Sequence, residues 1–296
     1  MAISSTPAGT ARRRKRWLRD SPQQGPSIPG SIIMILVVGL FTLIPIYWLV
    51  VTAFTPEGDA FSFPPKFFPA HVTLDNFVAF FNNQTLTGYF VNSVIVTTSS
   101  AVLGLIVSTY CAYSLSKFVY SGRKAVMYFV LSTQLFPASL LIIALYGLFN
   151  AYGLLNTYFA LVLSSTTFTL PLCIFILKSY FDAIPTELIE AAKLDGASQL
   201  RIIHGIILPI SAPGLIVAGL FAVIRAWNDF IMALTLAGPD TRTLPPGLVL
   251  TYLSEAQSSW PGLMAASIVV SLPVIVVFLA FQRYFVSGAL SGSVKG

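Results

Sequence analysis

Apolar residues run almost without a break through six stretches of this chain: 32–54, 89–115, 125–149, 158–177, 213–236 and 263–285. Each is close to the roughly 20 residues that cross a bilayer's hydrocarbon. None shows the polar face of a surface helix, so the pattern predicts six membrane-spanning helices. Pro45, Pro137, Pro171 and Pro273 stand inside these stretches. A membrane interior tolerates them where neighbours satisfy the freed carbonyl, and Pro45 marks a kink. Between the first two spans, 55–85 is rich in proline and aromatic residues and reads as a connecting loop.

One polar island interrupts this pattern. Between Lys178 and Arg201 lie Asp182, Glu187, Glu190, Lys193 and Asp195. Pro185 suits a first helical position, where its missing N–H costs nothing. Gly196 suits the residue past a helix end, where φ is positive. Between them Leu188, Ala191 and Ala192 share one face by their spacing, and Glu187, Glu190 and Lys193 share another. A short amphipathic helix, a glycine elbow and a second helix from about 198 to 209 are therefore expected. Ala191 and Ala192 are small enough to admit another backbone closely, and Glu190 is placed to pair with a basic residue of a partner. The plain alternative is a solvated loop helix.

Composition agrees with a membrane protein: 55% of the 296 residues are hydrophobic and 9% charged, against about 25% charged in soluble domains. The net charge of +6 comes largely from Arg12 to Arg16 and Arg19, in a polar segment, 1–30, that reads as a basic, disordered tail. No basic stripe with interleaved aromatics points to nucleic acid. The apolar run after this tail is too long for a signal peptide and reads as an uncleaved anchor. Lysine and arginine bias then sets orientation. With the N-terminus inside, the cytoplasmic side holds every such residue except Lys66, Arg242 and the membrane-embedded Arg225, which places the polar island in the cytoplasm and both termini with it. The loops 55–88 and 237–261 fall outside. Cys111 and Cys173, both within spans, read as small buried hydrophobes and not as a disulfide or metal pair.

Nothing resembles an active site. His71 and His204 have no partner at metal-ligand spacing, and no serine sits in a nucleophile motif. Gly25 and Gly30 stand at P-loop spacing, but Ser31 occupies the lysine's place. Arg225 and Asp229 are the ionisable residues deep in a span, four apart, and can face each other on the fifth helix. Such charges usually face a bundle interior or a water-filled cavity. They read either as a structural ion pair or, with Trp227 and Asn228, as a candidate translocation path able to stack on and hydrogen-bond a sugar. Polar residues in other spans, such as Asn92, Ser93, Gln134 and Ser164 to Thr167, suit interhelical hydrogen bonds.

Glu190-Ala191-Ala192, Asp195-Gly196-Ala197, Ile207-Leu208-Pro209 and Pro213 resemble the EAA loop of binding-protein-dependent ABC importer permeases. Trp227 to Phe230 resemble sugar-type permeases, and the C-terminal tail, Phe281 to Gly288 and on to Gly292 to Gly296, resembles the smaller, MalG-like permeases of carbohydrate uptake. The likeness covers about residues 30–296; Arg225 is not part of that pattern. It implies an all-α integral membrane protein with the type I importer permease fold: a transmembrane domain over 31–287, including a coupling-helix loop at 180–206, between cytoplasmic tails 1–30 and 288–296. Glu187, Glu190, Ala191, Ala192, Asp195, Gly196 and Ala197 are then expected to dock a cytoplasmic ATPase. The implied function is uptake of a mono- or oligosaccharide across a bacterial inner membrane. Implied partners are a homologous second permease, two ATPase copies and an extracytoplasmic binding protein. ATP and Mg belong to the ATPase, so this chain is no enzyme and needs no cofactor of its own. The alternatives are an ABC permease for a polyol, glycerophosphate or acidic oligosaccharide, and a self-sufficient secondary transporter.

Overall fold

A computed structural model of the chain describes residues 28–254 and 257–293. The chain divides into two units between Trp48 and Leu49. The first contributes the greater part of α1 (Ile28–Ala53), apolar on every side and continuous through Pro45. Most of the predicted basic tail and the last three residues of the C-terminal one lie outside the described residues.

The second unit continues with α2 (Asp75–Asn82), α3 (Gln84–Lys117), α4 (Arg123–Ser132), α5 (Ala138–Ala151) and α6 (Tyr158–Asp182). The elbow follows as α7 (Thr186–Leu194), α8 (Gln199–Ile202) and α9 (Leu208–Ile210), the last two joined by a π-helical turn, Ile203–Ile207. Then come α10 (Ala212–Trp227), α11 (Ile231–Leu236), α12 (Leu244–Tyr252) and α13 (Trp260–Ser293). The expected all-α fold holds. A two-residue antiparallel pair, Leu253 opposite Ser258 and Ser254 opposite Gln257, closes the loop before α13.

Among the described residues four helices are long and apolar enough to cross a membrane, and six spans result if each bent pair counts as one. The third predicted span is one such pair. It bends by 99° between Leu135 and Ala138, because Pro137 holds Phe136 extended (φ −77°, ψ 126°) and has no N–H to continue the helix. Pro171 and Pro273 instead sit within continuous helices. The fifth span also differs from expectation. Its helix stops at Trp227, resumes at Ile231, and meets the arm Gln199–Ile210 at 83°.

α3, α6 and α10 pack as one group. At the α3–α6 crossing the residues are small: Ser100, Ala101 and Gly104 against Thr166 and Thr169. A Cβ on Gly104 would already stand 3.4 Å from the Thr169 hydroxyl. The Ser100 and Thr166 hydroxyls each donate to a carbonyl of the other helix, at 3.4 Å. Between apolar helices in lipid no hydrophobic drive operates, so close approach and such bonds hold the pair. α10 crosses α6 where Gly214 leaves room for the Tyr180 ring. Cys173 is buried there and donates weakly to Ala218 O, whereas Cys111 faces outward, contrary to its sequence reading.

Candidate functional site

Two places gather the predicted site residues: the elbow, and a cleft in the membrane-spanning helices.

At the elbow, α7 begins just after Pro185 and ends as the glycine predicts. Gly196 has φ +78°. Its N–H donates to Lys193 O at 3.0 Å, and the Ala197 N–H donates to Ala192 O at 2.9 Å. This is the paired Schellman arrangement that satisfies the last carbonyls of a helix. The buried face of α7 is Ile189 and Ala192, packed in the core with Phe181, Ile184 and Ile202. Leu188 and Ala191, expected to share a face with Ala192, are exposed, as are Glu187, Glu190, Asp195 and Gly196. Helical spacing groups residues without saying which group points inward, and burying Ile189 removes more apolar area than burying Ala191. Ala197 is partly buried, so it and Ala192 support the elbow from within. Leu194 is 90% exposed, and with Leu188 and Leu200 it adds apolar surface to this charged face.

The elbow is lashed to the end of α3. Lys117 Nζ donates to Ile184 O at 2.6 Å, Tyr113 Oη donates to Gln199 Oε1 at 2.9 Å, and Ser116 Oγ donates to Asp182 Oδ1 at 2.6 Å. Asp182 also pairs with Lys178 at 2.5 Å. Beyond Ser198, whose hydroxyl caps α8, the chain swells into the π-turn before Pro209, which cannot donate to the preceding turn. His204 sits in that turn. Its Nδ1–H donates to Leu200 O at 2.8 Å, which leaves Nε2 to accept from Tyr110 Oη at 3.4 Å. Tyr113, Lys117 and Gln199 were not singled out from sequence; polar groups at the end of a long apolar helix are the signal for them.

The cleft, of about 230 Å³, is lined by Ala138, Ser165, Phe168, Thr169, Arg225, Asn228, Asp229, Phe230, Ile231 and Met232. It forms because the chain breaks twice at the same place. α5 starts afresh after Pro137, α10 ends at Trp227, and the middle of α6 closes the remaining wall. Gln134 Nε2 donates to Phe168 O at 3.2 Å and holds the first break against α6.

Arg225, Asn228 and Asp229 therefore come together as expected, but not as a helical i, i+4 pair. Asp229 lies past the end of α10, and its Oδ1 accepts the Met232 N–H at 3.4 Å. Among the described residues the one contact ion pair is Lys178–Asp182. Arg225 makes neither a contact ion pair nor a hydrogen bond among the described residues, although a charged arginine at helix depth costs about 2.5–3.5 kcal/mol on insertion scales. Asn228 donates to Ile224 O at 2.8 Å, leaving its carbonyl oxygen free.

Trp227 does not line the cleft. It is 6% exposed, its indole N–H donates to Val270 O at 3.1 Å, and its ring meets Phe90 edge to face. It is the anchor between α10, α13 and α3, and the aromatic walls of the cleft are Phe168 and Phe230 instead. Asn92 is likewise structural: it donates to the carbonyls of Asp240 and Arg242, each at 2.9 Å, and accepts from Tyr158 Oη at 2.6 Å.

The description "binding-protein-dependent transport system inner membrane component" belongs to a family whose pattern matches residues 100–290. The sulfoquinovosyl glycerol transport system permease protein of Agrobacterium fabrum is 34% identical over 270 residues, spanning 91% of this chain and 93% of its own length. The trehalose/maltose transport system permease protein of Thermococcus litoralis is 34% identical over 272 residues, spanning 91% and 96%. One chain of a bacterial ABC transporter involved in the import of the acidic polysaccharide alginate superposes with a TM-score of 0.75, over 86% of this chain and 95% of its own, at 22% identity. That last likeness speaks for the fold.

Proposed function

Because the chain belongs to the family of binding-protein-dependent transport system inner membrane components, we propose that it is the permease subunit of an ATP-driven importer for a mono- or oligosaccharide. The relatives' trehalose, maltose and sulfoquinovosyl glycerol are all sugars or glycosides, and the cleft offers hydroxyl, amide and aromatic groups of the kind sugars need. The observation that carries the reading is the elbow. A helix with its inner face, Ile189 and Ala192, locked into the core shared with α3, α6 and α10 presents Glu187, Glu190, Ala191 and Asp195 uncovered, ready for another subunit.

In this reading the elbow lies in the cytoplasm, as the lysine and arginine bias favours, and docks a separate ATPase. A homologous second permease completes the membrane path, and an extracytoplasmic binding protein delivers the sugar. ATP and Mg act on the ATPase; this chain contributes no nucleotide site. Closure of the ATPase dimer pushes α7, and the lashings of Tyr113, Ser116 and Lys117 pass that motion to α3 and α6. The cleft then opens outward to receive the sugar, and hydrolysis resets it.

Affinity purification of the tagged chain from its native membrane, followed by reconstitution, tests this. A P-loop ATPase and a second permease should co-purify, and sugar uptake should require both ATP and binding protein. Uptake by the chain alone, driven by an ion gradient, would overturn the proposal in favour of a secondary transporter.

A further inference from the structure

We propose that the cleft is a subsite for the charged end of an anionic saccharide, with the Arg225 guanidinium gripping a carboxylate, sulfonate or phosphate group on the sugar; this rests on the permease reading above.

The first argument is placement. The break before Ala138 and the break at 228–230 open onto one cleft beside the middle of α6. Interrupted helices in transporters mark substrate sites, because their ends present backbone groups at a depth where continuous helices present none.

The second argument is charge. Arg225 is always ionised, exposed to the cleft, and engaged by no acceptor among the described residues. The neighbouring carboxylate, Asp229, is turned to the Met232 N–H. Ala138, the first residue of the fourteen-residue α5, lines the same cleft, so the positive end of that helix faces it too. Two sources of positive potential thus converge on a cleft whose one lining carboxylate, Asp229, offsets part of that potential without contacting Arg225.

The third argument is polar capacity. Ser165 is buried and borders the cleft, and among the described residues neither its hydroxyl nor the side-chain carbonyl oxygen of Asn228 has a hydrogen-bond partner. These suit ring hydroxyls, while Phe168 and Phe230 offer flat faces to a sugar ring. At about 230 Å³ the cleft is smaller than the roughly 300 Å³ at which whole-ligand pockets begin. It therefore holds one terminal residue, and the second permease would have to cover the rest.

The test uses the whole complex: this chain, its partner permease, the ATPase and the binding protein, in proteoliposomes. Uptake is measured for paired probes of matched size: a glucuronate-terminated disaccharide and its glucose-terminated counterpart, sulfoquinovosyl glycerol and glucosyl glycerol, and glucose 6-phosphate and glucose. The wild-type complex should take up at least one anionic member, and which one identifies the anion. Arg225→Gln should lower anionic uptake relative to its neutral counterpart by about tenfold, the loss of one hydrogen bond to a charged group. Arg225→Lys should lower it less, because lysine keeps the charge and loses the planar fork; it is read in place of Arg225→Gln if that variant does not assemble. Uptake of neutral sugars only, or an equal loss for both members of a pair, would overturn the subsite and leave the permease reading standing. Equal loss would instead mark Arg225 as a contact to the second permease. No ATP-dependent uptake of any probe would overturn both.

Discussion

Gly196 decides the direction in which the chain leaves α7. At φ +78° a side chain with a Cβ costs about 1–2 kcal/mol, and proline cannot adopt the angle at all. Proline would also remove the N–H that Lys193 O accepts. Gly196→Pro should therefore abolish ATP-dependent uptake while the chain still inserts and assembles, and Gly196→Asn, which tolerates this angle, should keep most of it. Vesicle uptake normalised to membrane-inserted protein reads both, and full uptake by Gly196→Pro would remove the elbow from the coupling mechanism. This conformation was legible in the sequence because glycine after a helical run has one common use. The place of Trp227 was not. Which way that indole points depends on α10 ending at Trp227 itself and on Val270, 43 residues later, supplying the carbonyl. Nothing within the Trp-Asn-Asp-Phe string distinguishes a residue facing the cleft from one facing away.

At the scale of elements, the elbow and the end of α6 that leads into it are tied to α3 by three side chains of different strength. Lys117 Nζ to Ile184 O is the charge-assisted one and should carry the most, about 1.5–3 kcal/mol. The exposed Lys178–Asp182 pair contributes little by comparison. Lys117→Met keeps the apolar stem and removes the bond. It should lower the number of sugars moved per ATP by about tenfold, the low end of that range if the lashing transmits force, with ATP hydrolysis retained. An unchanged ratio would assign the link to Tyr113 and the packed core. A second element-level test concerns the α6–α10 crossing. A Cβ at Gly214 would lie 2.5 Å from Tyr180 Cγ, the ring atom nearest the backbone, which cannot swing aside. Gly214→Ala should destabilise the purified complex by about 1–3 kcal/mol, seen as a lower Tm. Combining it with Tyr180→Ala should cost clearly less than the sum of the two single changes. The spans themselves were readable from hydropathy because lipid demands nearly the same thing of every helix. Their breaks were not. Pro137 ends a helix and Pro171 does not, although both stand in apolar runs. The outcome turns on what neighbouring elements supply, such as Gln134 bonding to Phe168 O beside the first break.

At the scale of the whole molecule, a cleft built from two broken helices suits alternating access. Short segments on either side of a break can swing without dragging a full span through lipid. α5 and α11 are such segments: they start at the cleft, and neither is long enough to cross a bilayer alone. If the elbow drives them through α3 and α6, the cleft must face opposite sides of the membrane in the two nucleotide states. Asn228 borders the cleft and is exposed, so a cysteine there reports which side has access. Cys111 is outward-facing and is replaced by serine first; Cys173 is buried and can stay. In the assembled complex without nucleotide, a membrane-impermeant thiol reagent should label Asn228→Cys faster from the ATPase side. With the ATPase trapped closed on ATP, labelling should become faster from the binding-protein side, by tenfold or more, because closing a path replaces a water-filled route by packed side chains. Equal rates from one side in both states would mean that the cleft does not alternate. The substrate path would then lie in the partner permease, and Arg225 with its neighbours would serve the interface between the two.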